Sequence, residues 1–440
     1  MFFPKLTKNR ILLILILSLS VILSLPYLCA NYSYNNAVKE AEAKGFIFDI
    51  PQLASPEIPD SQNASVIMEQ AAKYLENNSN IHNLTIDRMS DLVNEGYSRR
   101  LTQEELEGLK EDLQLYNDMV LLAERAAQLD HARYNADYDS PVPFTIQVPN
   151  FMPRRHLVRL LQAKSFLLIL EDRREDAYRC IQAMFRLSRL GSEESPYLIG
   201  TLIGFNLVEY SCQALEGLER FSPPNAEERA AIAKEIDAIS MNTWLKKSIF
   251  MECASYKLSI DAFLNGAQSI TSGSNHEELF LFFLRYPGRF MVRINQASNI
   301  RAMTYYFDLL PFTYYEVKTK NAQEYPSQSM SFMDANPPNL INTIKRRDKQ
   351  LVNLDFAKIS FALQEWKEKN NAYPADLASL KEILGDIPAD PFSGQTYRYR
   401  SKDDGYTLYS LGWNLKDDGG IPTQPGEDEN NQGDIVWSLP

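Results

Sequence analysis

The chain has 440 residues, 45% of them apolar and 23% charged. That balance belongs to a folded protein longer than one small module, and it excludes wholesale disorder or a collagen-like fibre. Its 45 basic and 57 acidic residues leave a net charge of −12, which repels phosphate backbones and argues against a nucleic-acid partner; with only four histidines, a His-rich metalloenzyme is also disfavoured.

At the N-terminus Lys5, Lys8 and Arg10 precede an unbroken apolar run from Ile11 to Leu17, which continues past Ser18, Ser20 and Ser24 to Leu28. About 18 helical residues at about 1.5 Å each span roughly 27 Å, close to the hydrocarbon thickness of a bilayer. The expectation is a single-pass transmembrane helix within residues 1–30. The basic flank leaves the tip in the cytoplasm and exports the rest, so the bulk of the chain is expected to be periplasmic. A cleavable signal peptide would have a shorter apolar core and a small residue where Leu28 stands. Cys29 raises a lipoprotein alternative, although Pro26-Tyr27-Leu28 lacks the small residue that precedes a lipidated cysteine. Cys180, Cys212 and Cys253 lie among apolar neighbours and read as buried free thiols. A bridge between Cys180 and Cys212 is the alternative in an exported protein.

Residues 31–325 read as an α-helical domain. Thr102 with Glu105 forms a capping box ahead of Leu106, Leu109, Leu113, Tyr116 and Val120. Pro141, Pro143, Pro149 and Pro153 forbid a helix across Ser140 to Pro153, and Pro153 suits the first turn of the next one. That helix carries Leu157, Leu160, Leu161 and Leu168. A second runs through Tyr178, Ile181, Met184, Phe185 and Leu190, with Gly191 in the place of a C-terminal cap. A third follows Pro196. The succession suggests antiparallel helices with short connections and shows no 34-residue repeat, which favours an irregular array over a tetratricopeptide solenoid.

Sequence motifs of catalysis are missing. His82, His131, His156 and His276 form no ligand pair, and no GxSxG elbow, phosphate loop or GxGxxG turn is present. Glu104-Glu105, Glu193-Glu194 and Glu227-Glu228 read as carboxylates of helix starts or polar loops. Arg154-Arg155 and Lys345-Arg346-Arg347 read as solvated helix faces.

From about Asn339 the pattern changes. Ile344, Leu351, Leu354, Ala357 and Phe361 mark one face of a long helix ending near Asn370-Asn371. Tyr373-Pro374 and a short helix through Leu380 and Leu384 follow, then a turn at Asp390-Pro391-Phe392-Ser393-Gly394. Tyr397-Arg398-Tyr399 and Tyr406 to Ser410 alternate as antiparallel strands, with Asp403-Asp404-Gly405 as their hairpin turn. The tail carries Gly412-Trp413-Asn414, Asp417-Asp418-Gly419-Gly420 and Asp434-Ile435.

In these ordered pieces, residues 339–440 resemble the C-terminal domain of the major pseudopilin of type II secretion, the general secretion pathway protein G family. The helical middle resembles anchored proteins of planctomycete-type bacteria that carry this tail. The resemblance implies a small α+β domain, a long helix on an antiparallel sheet, with a calcium-binding loop. Asp417, Asp418 and Asp434 are the expected ligands, hard oxygens beside glycines that let carbonyls turn inward, with Asp428 and its acidic neighbours Glu427 and Glu429 as further candidates. The N-terminus departs from that family. It lacks the Gly-Phe processing site and the glutamate of a pseudopilin, and its apolar run lies roughly 300 residues from the module. The whole therefore reads as a mostly α protein with a transmembrane helix, an irregular helical array and a pseudopilin-like α+β cap. The expected function is a non-enzymatic scaffold or adaptor with protein partners, near a secretion or pilus-like machine. The alternative is an envelope hydrolase acting on glycan or peptide through paired carboxylates of the helical domain.

Overall fold

A computed structural model describes residues 8–77, 83–267, 282–320, 340–402, 404–422 and 433–440. The chain is mostly helical and closes on a small antiparallel sheet. In order, the elements are α1 (Lys8–Ala43), α2 (Ile50–Leu53), α3 (Ala64–Asn77), α4 (Asn83–Gly96), α5 (Gln103–Leu115), α6 (Asn117–Ala126), α7 (Met152–Leu170), α8 (Arg174–Glu193), α9 (Leu198–Glu219), α10 (Ala226–Asp237), α11 (Met241–Leu264), α12 (Arg289–Leu309), α13 (Tyr314–Thr319), α14 (Leu340–Asn370) and α15 (Lys381–Leu384), followed by β1 (Arg398–Lys402), β2 (Gly405–Ser410) and β3 (Ile435–Leu439).

The local signals act as expected in several places. Thr102 and Glu105 form both halves of the capping box that starts α5. Pro153 lies in the first turn of α7, and only a 3-10 turn at Pro143–Thr145 interrupts the proline-rich segment before it. Gly191 differs from expectation. It sits inside α8, not at a cap, where a Cβ would come within 3.2 Å of the Leu207 side chain. One turn later in the pair, a Cβ on Gly204 of α9 would fall 1.5 Å from Ser192 Oγ. The two glycines are therefore there for close crossing of α8 and α9.

The second half of α1 lies along α12. Ala30, Ala37 and Ala41 are buried on one stripe of α1, and their small side chains let the two backbones approach. Polar contacts fix the register: Arg301 donates to Ser33 Oγ at 3.0 Å and Ser33 O at 3.1 Å, and Tyr34 donates to Asp261 at 2.9 Å. The first half projects beyond this contact, with Val21, Leu23, Leu25 and Leu28 all exposed. No helix among the described residues is long and apolar enough to cross a membrane. The side chains of residues 8–17, Leu19 and Ile22, which carry most of the apolar run, lie outside the described ones.

Two readings from sequence are corrected. Arg154-Arg155 is no solvated face: Arg154 is 2% exposed and Glu194 fully buried. The Arg154 guanidinium donates to both Glu194 oxygens, at 2.5 and 3.0 Å, to Glu69 at 2.5 Å and to Asn150 O at 2.7 Å. Ser65 also donates to Glu194, so the network joins α3, α7 and the end of α8. Arg347 is likewise buried, paired with Asp348 at 2.6 Å and donating to Leu310 O and Phe312 O. The cysteine alternative also falls. Cys180, Cys212 and Cys253 are free and buried, which leaves Cys29 as the exposed thiol.

The C-terminal elements follow the expected order. β1, β2 and β3 pair antiparallel in that sequence, with Lys402 opposite Gly405 at the hairpin and Ser410 opposite Ile435. Asp403 lies outside the described residues. The third strand has no counterpart among the expected ones. α14 packs on α9 and α10, and β3 packs on α9, so the sheet shares one core with the helices.

Removing one partner from a buried ion pair leaves the other charged and unsolvated. R154M should therefore lower unfolding free energy by about 3–5 kcal/mol. R154M/E194M, which removes both charges, should cost less than R154M alone. Chemical denaturation of the two variants checks the order.

Candidate functional site

The residues that carried the family resemblance act in the structure as pins between helix, turn and sheet. Asp390 accepts from Ser410 Oγ at 2.6 Å and from the Phe392 amide at 2.9 Å, which holds its turn against β2. Gly394 closes that turn at φ +67°, a conformation that favours glycine. Tyr397 donates to Asp355 of α14 at 2.7 Å, and Tyr399 to Pro374 O at 3.0 Å. Burial pushes the Asp355 carboxyl up to about 6, against the lowering effect of the Tyr397 hydrogen bond.

The three expected metal ligands fall in one loop but face different donors. Asp417 accepts from Tyr409 at 3.2 Å and from the Gly419 amide at 3.0 Å. Asp418 accepts from Asn414 at 2.7 Å. Asp434 is 2% exposed and accepts from the Gly420 amide at 2.7 Å and the Asp418 amide at 3.4 Å. Burial pushes the Asp434 carboxyl up, and the charges of Asp418 and Asp417 add to this against the two amide hydrogen bonds. Among the described residues no group of three or more His, Cys, Asp or Glu side chains is placed to hold a metal ion. Glu427, Asp428 and Glu429 lie outside those residues.

Two carboxylates that sequence reasoning missed stand where α9 meets the sheet. Glu216 and Glu219 are one turn apart and both turn inward. Glu219 accepts from Ser360 Oγ of α14 at 2.9 Å and from Trp437 Nε1 of β3 at 3.2 Å. Glu216 accepts from the Ser438 amide at 3.1 Å and from Arg220 at 2.7 Å. Burial raises both carboxyls, and it lifts Glu219, which has no cation bonded to it, to about 8. In sequence the pair reads as ordinary polar positions at a helix end. The signal available was their spacing, three apart on an otherwise apolar helix.

Two concavities border this junction. One, of about 300 Å³, is lined by Glu209, Glu216, Lys349, Trp413 and Asp434 among others. Its carboxylates are engaged: Glu209 with Lys349 at 2.8 Å and Gln350 at 3.2 Å, Glu216 with Arg220 and Ser438, and Asp434 with its amides. The other is a cleft of about 960 Å³ between α4, α5, α7 and the end of β3, with Leu106, Phe166, Leu170, Phe221 and Leu439 in its wall. Arg99 and Arg100 stand at its rim, Arg99 already paired with Glu95 and Glu105.

His156 is fully buried with no hydrogen bond to either ring nitrogen, and burial, with Arg155 beside it, pulls it down to about 4. His131 is exposed, while His82 and His276 lie outside the described residues. No family model, no curated protein and no solved structure matches the chain.

Glu219 makes stability pH-dependent in a defined direction. Below about pH 4.5 it is protonated both folded and unfolded, and its contribution is fully present. As pH rises towards about 8, the unfolded chain loses the proton while the folded chain keeps it, so stability falls. The slope is at most about 1.4 kcal/mol per pH unit. E219Q keeps a neutral group that can still accept from Trp437 and donate to Ser360. It should flatten this slope and exceed the wild type most at the alkaline end, as read by urea unfolding across the window.

Proposed function

We propose that the protein is a single-pass, membrane-anchored scaffold or adaptor that holds an irregular helical body and a pseudopilin-like α+β cap outside the cytoplasm. The observation that carries this reading is the continuity of α1. Its second half is packed and hydrogen-bonded to α12 and α11, and its first half is the apolar run that follows a basic flank. A helix embedded at one end in the body and apolar at the other suits an uncleaved anchor better than a removed signal. The cleft with apolar walls suits a protein partner. The engagement of Glu209 and Glu216 in ion pairs and amide hydrogen bonds favours this reading over an envelope hydrolase with facing carboxylates. The protein should remain with membranes through alkaline and high-salt extraction. Mass spectrometry that finds a mature N-terminus near Asn31 in native material would overturn the anchor.

Calcium at the loop of Asp417, Asp418 and Asp434 belongs to the same reading, and its support is the gathering of three carboxylates there, where burial raises the Asp434 carboxyl and repulsion from Asp418 and Asp417 adds to it. A divalent ion would relieve that repulsion and would stabilise the folded chain by about 2.7 kcal/mol at a hundredfold excess over Kd. Calorimetry should show a higher Tm in millimolar calcium than in chelator, and the gain should vanish in D418A/D434A. Equal melting temperatures in the two buffers would remove calcium from the proposal.

A further inference from the structure

The point at which α1 leaves the body carries a cluster of uncovered aromatic side chains. In the turn before α12, Phe282 is 58%, Phe283 46% and Tyr286 61% exposed, and the Phe282 and Tyr286 rings lie 4.7 Å apart. Leu284, between them, is buried against Ile260 and Phe263 of α11. The Gly288 amide donates to Phe283 O at 2.7 Å, which closes the turn.

The turn is also fastened to α1 at one particular height. The Tyr27 hydroxyl donates to Pro287 O at 2.7 Å, and the Tyr27 ring meets Phe290 edge-on at 5.4 Å. Tyr27 stands at the end of the apolar run, and the exposed Leu23, Leu25 and Leu28 bring α1's own apolar surface to the same level. The charge pattern is distinct as well. Within a chain of net charge −12, residues 282–293 hold Arg285, Arg289 and Arg293 and no acidic residue. Arg293 is paired with Asp261. Arg285 and Arg289 bond to the carbonyls of Ala267 and Leu264 at the end of α11, which keeps two cations beside the aromatic group.

We propose that this turn is a second membrane contact, seated in the headgroup region of an anionic bilayer and fixing the body's tilt and height on its anchor. The proposal rests on the anchor reading above. Three features choose lipid as the occupant: continuity with the apolar run of α1, aromatic rings at the level where that run ends, and two half-buried guanidinium groups beside those rings with no acidic partner among the described residues. Aromatic side chains favour that interface because an apolar ring and a polar edge are both satisfied there. Cations near the surface add attraction that salt screens.

The test uses the full chain reconstituted into vesicles of phosphatidylcholine and phosphatidylglycerol, with F283W and L23W as separate single variants. Wild-type vesicles supply the background of the native tryptophans, of which Trp244 sits at the opposite end of α11, about 30 Å away by helix rise. Lipids brominated near the headgroup end of the acyl chain should quench the added emission of F283W, and lipids brominated somewhat further along the chain should quench that of L23W, which stands about 6 Å beyond Tyr27 along the helix. Quenching of L23W with none of F283W would overturn the second contact and leave the anchor standing. A concentration-dependent blue shift of F283W without quenching would also overturn it, and would assign the aromatic cluster to a second copy of the chain. Failure of both variants to be quenched would overturn the anchor reading and this inference with it.

Discussion

Packing of α9 against the helical body and the C-terminal part at once is the constraint around which the molecule is arranged, with only the stripe of Ile199, Asn206 and Gln213 left exposed. α7, α8 and α11 pack on it from the helical body, while α14 and β3 pack on it from the C-terminal part. A helix enclosed in this way needs apolar side chains over most of its circumference, and its run of Leu, Ile, Phe and Val supplies them. It also needs small residues wherever a neighbour crosses closely. Gly204 meets Ser192 of α8, and a Cβ on Gly217 would fall 2.4 Å from the Tyr97 ring. The helical body and the sheet are thus two faces of one helix. Any account that treats the C-terminal module as a loose appendage conflicts with Glu216 and Glu219, which reach from α9 to the backbone of Ser438 and to the indole of Trp437.

Those two glutamates define what the junction tolerates. A carboxylate without a cation in an apolar interface is costly, and the cheaper state is the protonated one. Glu219 takes that course, with a hydroxyl and an indole as neutral donors. Glu216 sits beside Arg220 and the Ser438 amide, and Arg154 with Glu194 solves the same problem by direct pairing. Buried polar groups of this kind are poor sources of net stability but strict about geometry, since each partner is penalised if the other moves. They tie α3 to α7 and α8 at one end of the body, and α9 to α14 and β3 at the other.

The legible part of the fold was the part encoded within a few residues. The capping box at Thr102, the proline exclusion up to Pro153, the long helix ending at Asn370 and the Tyr397 and Tyr406 strands each depend on neighbours in sequence. What escaped depends on partners far along the chain. Arg154 meets Glu194 and Glu69, separated from it by 40 and 85 residues, and nothing in its own segment distinguishes it from a solvated arginine. Glu219 meets Trp437 across 218 residues. Gly191 looked like a cap because its only visible property in sequence is the lack of a side chain, and that serves close packing equally well. Of the acidic loop, the sequence placed Asp417, Asp418 and Asp434 close together. Their orientation towards separate amides and side chains follows from the loop backbone, which no spacing rule describes.

The same reasoning separates the two ends of the protein. Between Ala30 and Ala41, α1 is held by a stripe of small residues and by hydrogen bonds to Ser33 and Tyr34, so motion of α1 is motion of α12 and α11. α11 in turn packs on α9, and α9 carries the sheet. Each joint in that series is a buried helix contact, with no flexible linker between α1 and α9 among the described contacts. A displacement imposed on α1 is therefore passed towards β3 through packed side chains.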